Sequence, residues 1–257
     1  MSETEQRTSI PAATVVVFRN AADGGPPEIL MTVRAKAMTF AGGMAVFPGG
    51  RLDNADRDLA ARLGSDDEDE TAHRIAAVRE ALEETGLAVG IAQQPTADEV
   101  RRARELLLES GALAPVLEAM GWTLELDRIV PFARWNPRNE RIPRIFDTRF
   151  YLADLGTGAV ELEIDDTETT HLFWTTAAGA LEAADRGELA LIFPTRRNLE
   201  RLAGFASYAE ARAQAEAIPV RTITPWMEDR GGETWLRIPS DAGYPVDSEP
   251  LTSVARG

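Results

Sequence analysis

The stretch "VREALEETGLAV", residues 78–89, brings Glu80, Glu83 and Glu84 close together along the chain. The spacing predicts an α-helix over about 72–85, in which each residue turns roughly 100° about the axis and the three carboxylates share one face. Ile75, Val78 and Leu82 fall at i, i+3 and i+7 on the other side, the stripe that such a helix buries. Gly86 ends the helix, because glycine adopts the left-handed conformation there without a Cβ clash. Glu80 and Glu84 are like charges at (i, i+4), a pairing that costs roughly 0.2–0.5 kcal/mol unless a cation lies between them. Two readings follow: the solvated face of an acidic chain, or a carboxylate cluster built around a cation.

The chain has 257 residues, 44% hydrophobic and 27% charged, the balance of a soluble globular protein with a sizeable core. No run approaches the ~18 apolar residues of a membrane span, and the opening "MSETEQRTSI" lacks the basic-then-apolar order of a signal peptide. A cytoplasmic protein with no membrane partner is expected. The absence of cysteine excludes disulfides, zinc–thiolate sites and thiol nucleophiles. His73 precedes the helix stripe and His171 sits beside a predicted strand, and both read as structural or solvated. A net charge of −15 argues against nonspecific attraction to nucleic acid, so an anionic substrate must be met by a local basic site or a bound cation. Lys36 is the only lysine, an arginine bias that runs the whole length of the chain.

After a polar tail (1–10), "ATVVVF" and "EILMTVR" read as a hairpin across "AADGGPP". A glycine-rich loop follows, and then residues 51–70, with eight acidic residues against three arginines, read as an exposed insertion. Beyond the helix come a short strand at "GLAVGI" and two short helices within 92–127. Strands at "RIVPFARW", "IFDTRFYLA" and "THLFWT" precede helices near 177–186, 195–203 and 207–216. "VRTITP" and "TWLRIP" read as a closing strand pair in a C-terminal extension from about 217. One domain over 11–257, with insertions, is expected, since neither repeats nor low-complexity linkers divide it.

The helix motif pairs with "FPGG" at residues 47–50. Together they resemble the Nudix hydrolases, whose box reads G-x(5)-E-x(7)-R-E-U-x-E-E-x-G-U, with U aliphatic. Arg79, Glu80, Glu83, Glu84, Gly86 and Leu87 match its second half, with Ala81 at the first aliphatic position and Gly50 as the opening glycine. The gap between Gly50 and Arg79 is longer than the box allows, and Thr71 stands eight before Arg79, with Glu70 one residue away as a substitute. The resemblance implies a Nudix fold: α/β, a mixed β-sheet sandwiched between helices, here with helical insertions. It also implies that Glu80, Glu83 and Glu84 bind Mg²⁺ or Mn²⁺ with the Gly50 carbonyl, and that Arg79 orients them. The chemistry asks for such residues, because splitting a diphosphate builds charge on oxygens that a hard cation neutralises while it activates water. Glu168, on a predicted loop, is a candidate for a further catalytic carboxylate.

Residues 30–50 resemble the extra signature of coenzyme A diphosphatases, L-L-T-x-R-[SA]-x(3)-R-x(3)-G-x(3)-F-P-G-G. Leu30, Thr32, Arg34, Ala35, Gly43, Phe47, Pro48, Gly49 and Gly50 match it, while Met31 and Thr39 depart from it. The implied substrate is a small-molecule nucleotide, coenzyme A or a derivative, cut to adenosine 3′,5′-bisphosphate and (acyl-)4′-phosphopantetheine. Arg34, Phe47, Gly49, Arg138, Arg141 and Arg144 are the expected binding residues. Arg134, Arg138, Arg141, Arg144 and Arg149 either contact phosphates, which suits arginine's planar fork, or answer neighbouring acids such as Glu140 and Asp147. The alternatives are the same machinery acting on ADP-ribose or reduced NAD, and a non-catalytic domain that senses a nucleotide. A homo-oligomer is compatible with the sequence. Val100, Leu106, Leu107, Leu113, Val116 and Leu117 are too many for exposed helices, and they either cover a sheet edge or line a channel for the pantetheine arm or acyl chain.

Overall fold

The computed structural model describes residues 9–34, 43–138, 144–156 and 169–254. The chain opens with β1 (Ile10–Arg19) and β2 (Glu28–Arg34), an antiparallel hairpin with Phe18 opposite Ile29. Short strands β3 (Ala45–Val46) and β4 (Gly49–Arg51) lead into α1 (Asn54–Leu63) and α2 (Glu68–Thr85). Next come α3 (Ala97–Ser110), α4 (Leu113–Met120), β5 (Val130–Trp135), β6 (Phe146–Asp154) and β7 (Thr169–Thr176). Helices α5 (Ala177–Asp185), α6 (Phe193–Leu202) and α7 (Tyr208–Ala217) follow, and then β8 (Thr222–Ile223), β9 (Trp226–Arg230), β10 (Glu233–Arg237), β11 (Ser248–Pro250) and α8 (Leu251–Val254).

Among the described residues, eight strands form one mixed sheet in the order β3-β2-β1-β6-β5-β8, with β4 paired to β1 and β7 to β2. β1 pairs β6 in parallel, and so does β5 with β8, while the remaining ladders are antiparallel. The two-residue period of β1 sends Ala13, Val15 and Val17 to one face and Val16 and Phe18 to the other. The first face packs on Ile75, Val78 and Leu82 of α2, and the second on Leu199 and Leu202 of α6 and Ala211 of α7. Helices therefore cover both faces of the sheet, the α/β/α sandwich expected from the sequence.

The helix stripe is buried as its spacing predicts, and Gly86 ends α2 at φ 69° in the left-handed region. The acidic stretch 51–70 is not an irregular exposed insertion. Its first part is α1, started by a reciprocal capping box between Asp53 and Asp56, ended by Gly64, and docked on α2 through Leu59 and Ala60. Residues 86–91 form no strand beyond a single bridge from Ile91 to Leu124. The two C-terminal strands do not pair with each other, since β8 joins β5 while β10 sits between β9 and β11 in a separate three-stranded sheet. The apolar residues of α3 and α4 pack on the α2 side of the core: Leu107, Leu113 and Val116 are buried with Ile75 and Val78 of α2, and Val100, Leu106 and Leu117 pack against the same cluster.

Candidate active site

β4 lies across α2, and three contacts set the register between them. The Gly49 N–H donates to Glu84 Oε2 at 3.0 Å. A Cβ on Gly50 would stand 2.4 Å from Glu80 Oε1, so any larger residue there would displace that carboxylate. Arg79 Nη2 donates to the Arg51 carbonyl at 2.8 Å. Gly49 is needed for a separate reason: its φ is +156°, and a Cβ there would meet the Ala13 carbonyl of β1 at 2.4 Å. The "GGR" of the loop is thus threaded between a sheet strand and the carboxylates of α2.

Arg79, 4% exposed, is the hub of the site. Its Nε contacts both Asp56 oxygens at 3.0 and 3.3 Å, Nη2 bonds Asp56 Oδ2 at 3.1 Å, and Nη1 reaches Glu80 at 2.9 Å and Glu83 at 3.1 Å. Burial opposes its charge, but Glu80 and Asp56 outweigh that and hold the guanidinium protonated more firmly than an ordinary arginine. Burial pushes the Glu80 carboxyl up to about 7, against the pull of Arg79, and the nearby Glu83 adds to the rise. The carboxylate face is therefore not a solvated one, since Glu80 and Glu84 are buried and Glu83 is the most open of the three.

Asp56 was not singled out by sequence. Counted forward from Gly50, position 56 is where the box places its first glutamate, and there Asp56 is 1% exposed against Arg79. The extra residues lie after it, within α1 and the start of α2. Counting backward from Arg79 led instead to Thr71 and Glu70. Glu70 binds Arg149 at 2.6 Å and Arg74 at 3.2 Å, tying the start of α2 to β6, and takes no part in the cluster.

The arginine run divides. Arg134 forks onto Asp147 at 2.8 and 2.7 Å, and Arg149 bonds Glu70 and Asp69, so both answer neighbouring acids. Arg138 and Arg144 are exposed, and Arg34 is half-buried at the end of β2. Arg141 and Glu168 lie outside the described residues. Phe47 is 2% exposed and packs edge-on to Phe150 at 6.4 Å, which makes its side chain a core anchor for the loop. His73 is buried with Nδ1 2.7 Å from the Asp69 carbonyl, and His171 is exposed.

Among the described residues, no three acidic or imidazole side chains converge as they stand to enclose an ion. Glu83 is turned to Arg79 and Glu84 to the Gly49 N–H. The donor chemistry nevertheless fits a hard divalent cation. All three side chains offer carboxylate oxygens, and Glu80 is desolvated beside a glycine that leaves space for it.

The raised Glu80 pKa has a consequence for the metal-free protein. Between its ordinary value of 4.5 and about 7 the native state holds the proton more tightly than the unfolded chain, so this group's contribution to stability is lost as pH rises through 7. Glu80→Gln should therefore raise the melting temperature of the metal-free protein at pH 8, by up to about 3 kcal/mol in stability, with little difference near pH 5. A variant that melts lower than wild type at pH 8 would show that the pull of Arg79 outweighs burial.

A solved structure shares this architecture. The Nudix hydrolase of Alicyclobacillus acidocaldarius is similar at 29% identity and a TM-score of 0.68, over 81% of this chain and 97% of that one. The Nudix domain of NrtR from Shewanella oneidensis, complexed with ADP ribose, gives 12% and 0.42 over 78% and 90% of the two chains. The MutT protein of Methanosarcina mazei Go1 gives 13% and 0.43 over 77% and 94%. No protein-family model and no curated protein matches the sequence. The mixed sheet between helices, with the glycine loop seated on the R-E-x-x-E-E-x-G helix, is the fold of the Alicyclobacillus acidocaldarius Nudix hydrolase. That likeness supports an enzyme of the Nudix hydrolase kind, acting on phosphoric anhydride bonds.

Proposed function

We propose that this enzyme hydrolyses the diphosphate of coenzyme A or acyl-coenzyme A, releasing adenosine 3′,5′-bisphosphate and (acyl-)4′-phosphopantetheine, with Mg²⁺ or Mn²⁺ held by Glu80, Glu83, Glu84 and the Gly50 carbonyl. The observation that carries the hydrolytic part is the register of β4 on α2, which sets Gly49 against Glu84, Gly50 against Glu80 and Arg51 against Arg79. A bound divalent cation would neutralise charge on the phosphate oxygens and lower the pKa of water. Arg79, fixed by Asp56, holds Glu80 and Glu83 in place, and the Gly49 N–H holds Glu84.

The coenzyme A part rests on the segment 30–50, which supplies both the end of β2 and this loop. Leu30 and Thr32 are buried in β2, and the Pro48 carbonyl accepts from Val15 N–H at 2.9 Å, so these signature residues build the loop's platform. Arg34 is the charged signature residue at the strand end, and its guanidinium suits a bidentate phosphate contact, with Arg138, Arg141 and Arg144 as further contacts. Product release in the presence of Mg²⁺ or Mn²⁺ should be measured on coenzyme A, acyl-coenzyme A, ADP-ribose and reduced NAD. The highest kcat/KM is expected for coenzyme A or its thioesters. A preference for ADP-ribose or NADH would overturn the substrate, and binding without turnover would leave a nucleotide sensor.

One substrate comparison is sharper. If these arginines grip the 3′-phosphate, removing it deletes a charge-assisted contact worth about 1.5–3 kcal/mol. 3′-Dephospho-coenzyme A is then expected to lose roughly tenfold or more in kcat/KM, chiefly through KM. Equal efficiency on both substrates would remove the 3′-phosphate from the assignment.

A further inference from the structure

The helices α3 and α4 have no place in the box, yet one side chain of α3 reaches the catalytic helix. Arg104 is 8% exposed, and its Nε donates to the Glu83 carbonyl at 2.9 Å. That carbonyl belongs to the last turn of α2, where no further helical amide is available to accept from. Gly86 N–H takes the Leu82 carbonyl at 3.0 Å, and Leu87 N–H and Thr85 Oγ1 reach that of Ala81 at 3.5 and 2.5 Å. Glu83 is thus served from outside the helix, by a cation placed where the helix dipole favours one. Arg104 stands beside the buried stripe of α3, where Ala103 and Leu107 are 0% and 1% exposed in the same apolar cluster as Ile75, Val78 and Leu82.

We infer that Arg104 is a positioning residue for the metal site: it pins the last turn of α2, and so sets where the Glu83 and Glu84 carboxylates stand relative to Glu80. The split box gives this role a physical reason. Most of α1 and the start of α2 separate Asp56 from Arg79 in sequence, and α3 adds a second hold on α2 one turn beyond Arg79, at Glu83. The inference rests on the metal-binding reading of Glu80, Glu83 and Glu84.

The sign of the effect separates position from charge. By Coulomb's law alone, deleting a nearby cation favours a bound divalent ion, whereas loss of position weakens it. Mn²⁺ binding to the full-length, substrate-free protein, measured by calorimetry or by the loss of free Mn²⁺ signal in electron paramagnetic resonance, is the readout. Arg104→Met should raise the Mn²⁺ dissociation constant about 10–100-fold, the usual effect of removing a group that orients ligands, and Arg104→Lys should fall between it and wild type. Leu107→Ala, which loosens the α3 packing without touching the Glu83 carbonyl, should lower the melting temperature but leave Mn²⁺ affinity within about twofold. If Arg104→Met does not fold, the comparison of Arg104→Lys with Leu107→Ala decides. Unchanged or tighter Mn²⁺ binding in the Arg104 variants, or equal weakening in Leu107→Ala, overturns the inference. Mn²⁺ binding of wild-type affinity in the paired variant Glu83→Gln with Glu84→Gln overturns the metal-site reading itself.

Discussion

Glu84→Gln and Glu83→Gln are each expected to lower kcat by about 10²–10³-fold, the scale seen when one charge-stabilising group is removed from an active site. The argument turns on what glutamine preserves. Its amide oxygen can still accept from the Gly49 N–H at position 84, or from Arg79 Nη1 at position 83, so the register of β4 on α2 survives. What is lost is one negative charge toward a cation. Neither side chain belongs to the apolar stripe, which lies with Ile75, Val78 and Leu82. Melting temperatures of the metal-free variants should therefore stay within a few degrees of wild type, while turnover measured over a metal titration falls. Turnover of the wild type that persists after thorough chelation would refute the metal-dependent mechanism.

Asp56→Ala is expected to be the most destabilising single change at the site. Asp56 and Arg79 are 1% and 4% exposed and joined by three contacts of 3.0–3.3 Å. Removing the carboxylate strands a buried guanidinium, and breaking a buried pair from one side costs about 3–5 kcal/mol. For a chain of this length that is roughly 6–20 °C in melting temperature. Asp56→Asn retains one acceptor for the fork and should lose less. A thermal melt of both variants checks this, and an alanine variant within 2 °C of wild type (on the order of 1 kcal/mol or less) would show that Glu80 and Glu83 satisfy Arg79 unaided.

Much of the architecture was written in short-range patterns. The helix stripe, its glycine stop, the β1–β2 hairpin, the strands β5 to β7 and the three helices after β7 each depend on periodicity or caps within a few residues, and those signals act wherever the rest of the chain goes. The three glutamates were legible for the same reason, because helical spacing alone brings them together.

What lay beyond reach were pairings across sequence. The acidic stretch 51–70 reads as solvated until α2 is placed beside it. Only then does the packing of Leu59 and Ala60, with Asp56 bonded to Arg79, make part of it a buried helix. Arg134 and Arg149 are as basic as Arg138 and Arg144, but β6 brings Asp147 to the first and α2 brings Asp69 and Glu70 to the second, while the other two face solvent. Local sequence determined which residues form each element and which chemistry the box helix carries. Tertiary structure decided which charges are buried and by what they are answered, because desolvation makes a charge's role depend on partners that only the packed chain brings within hydrogen-bonding distance.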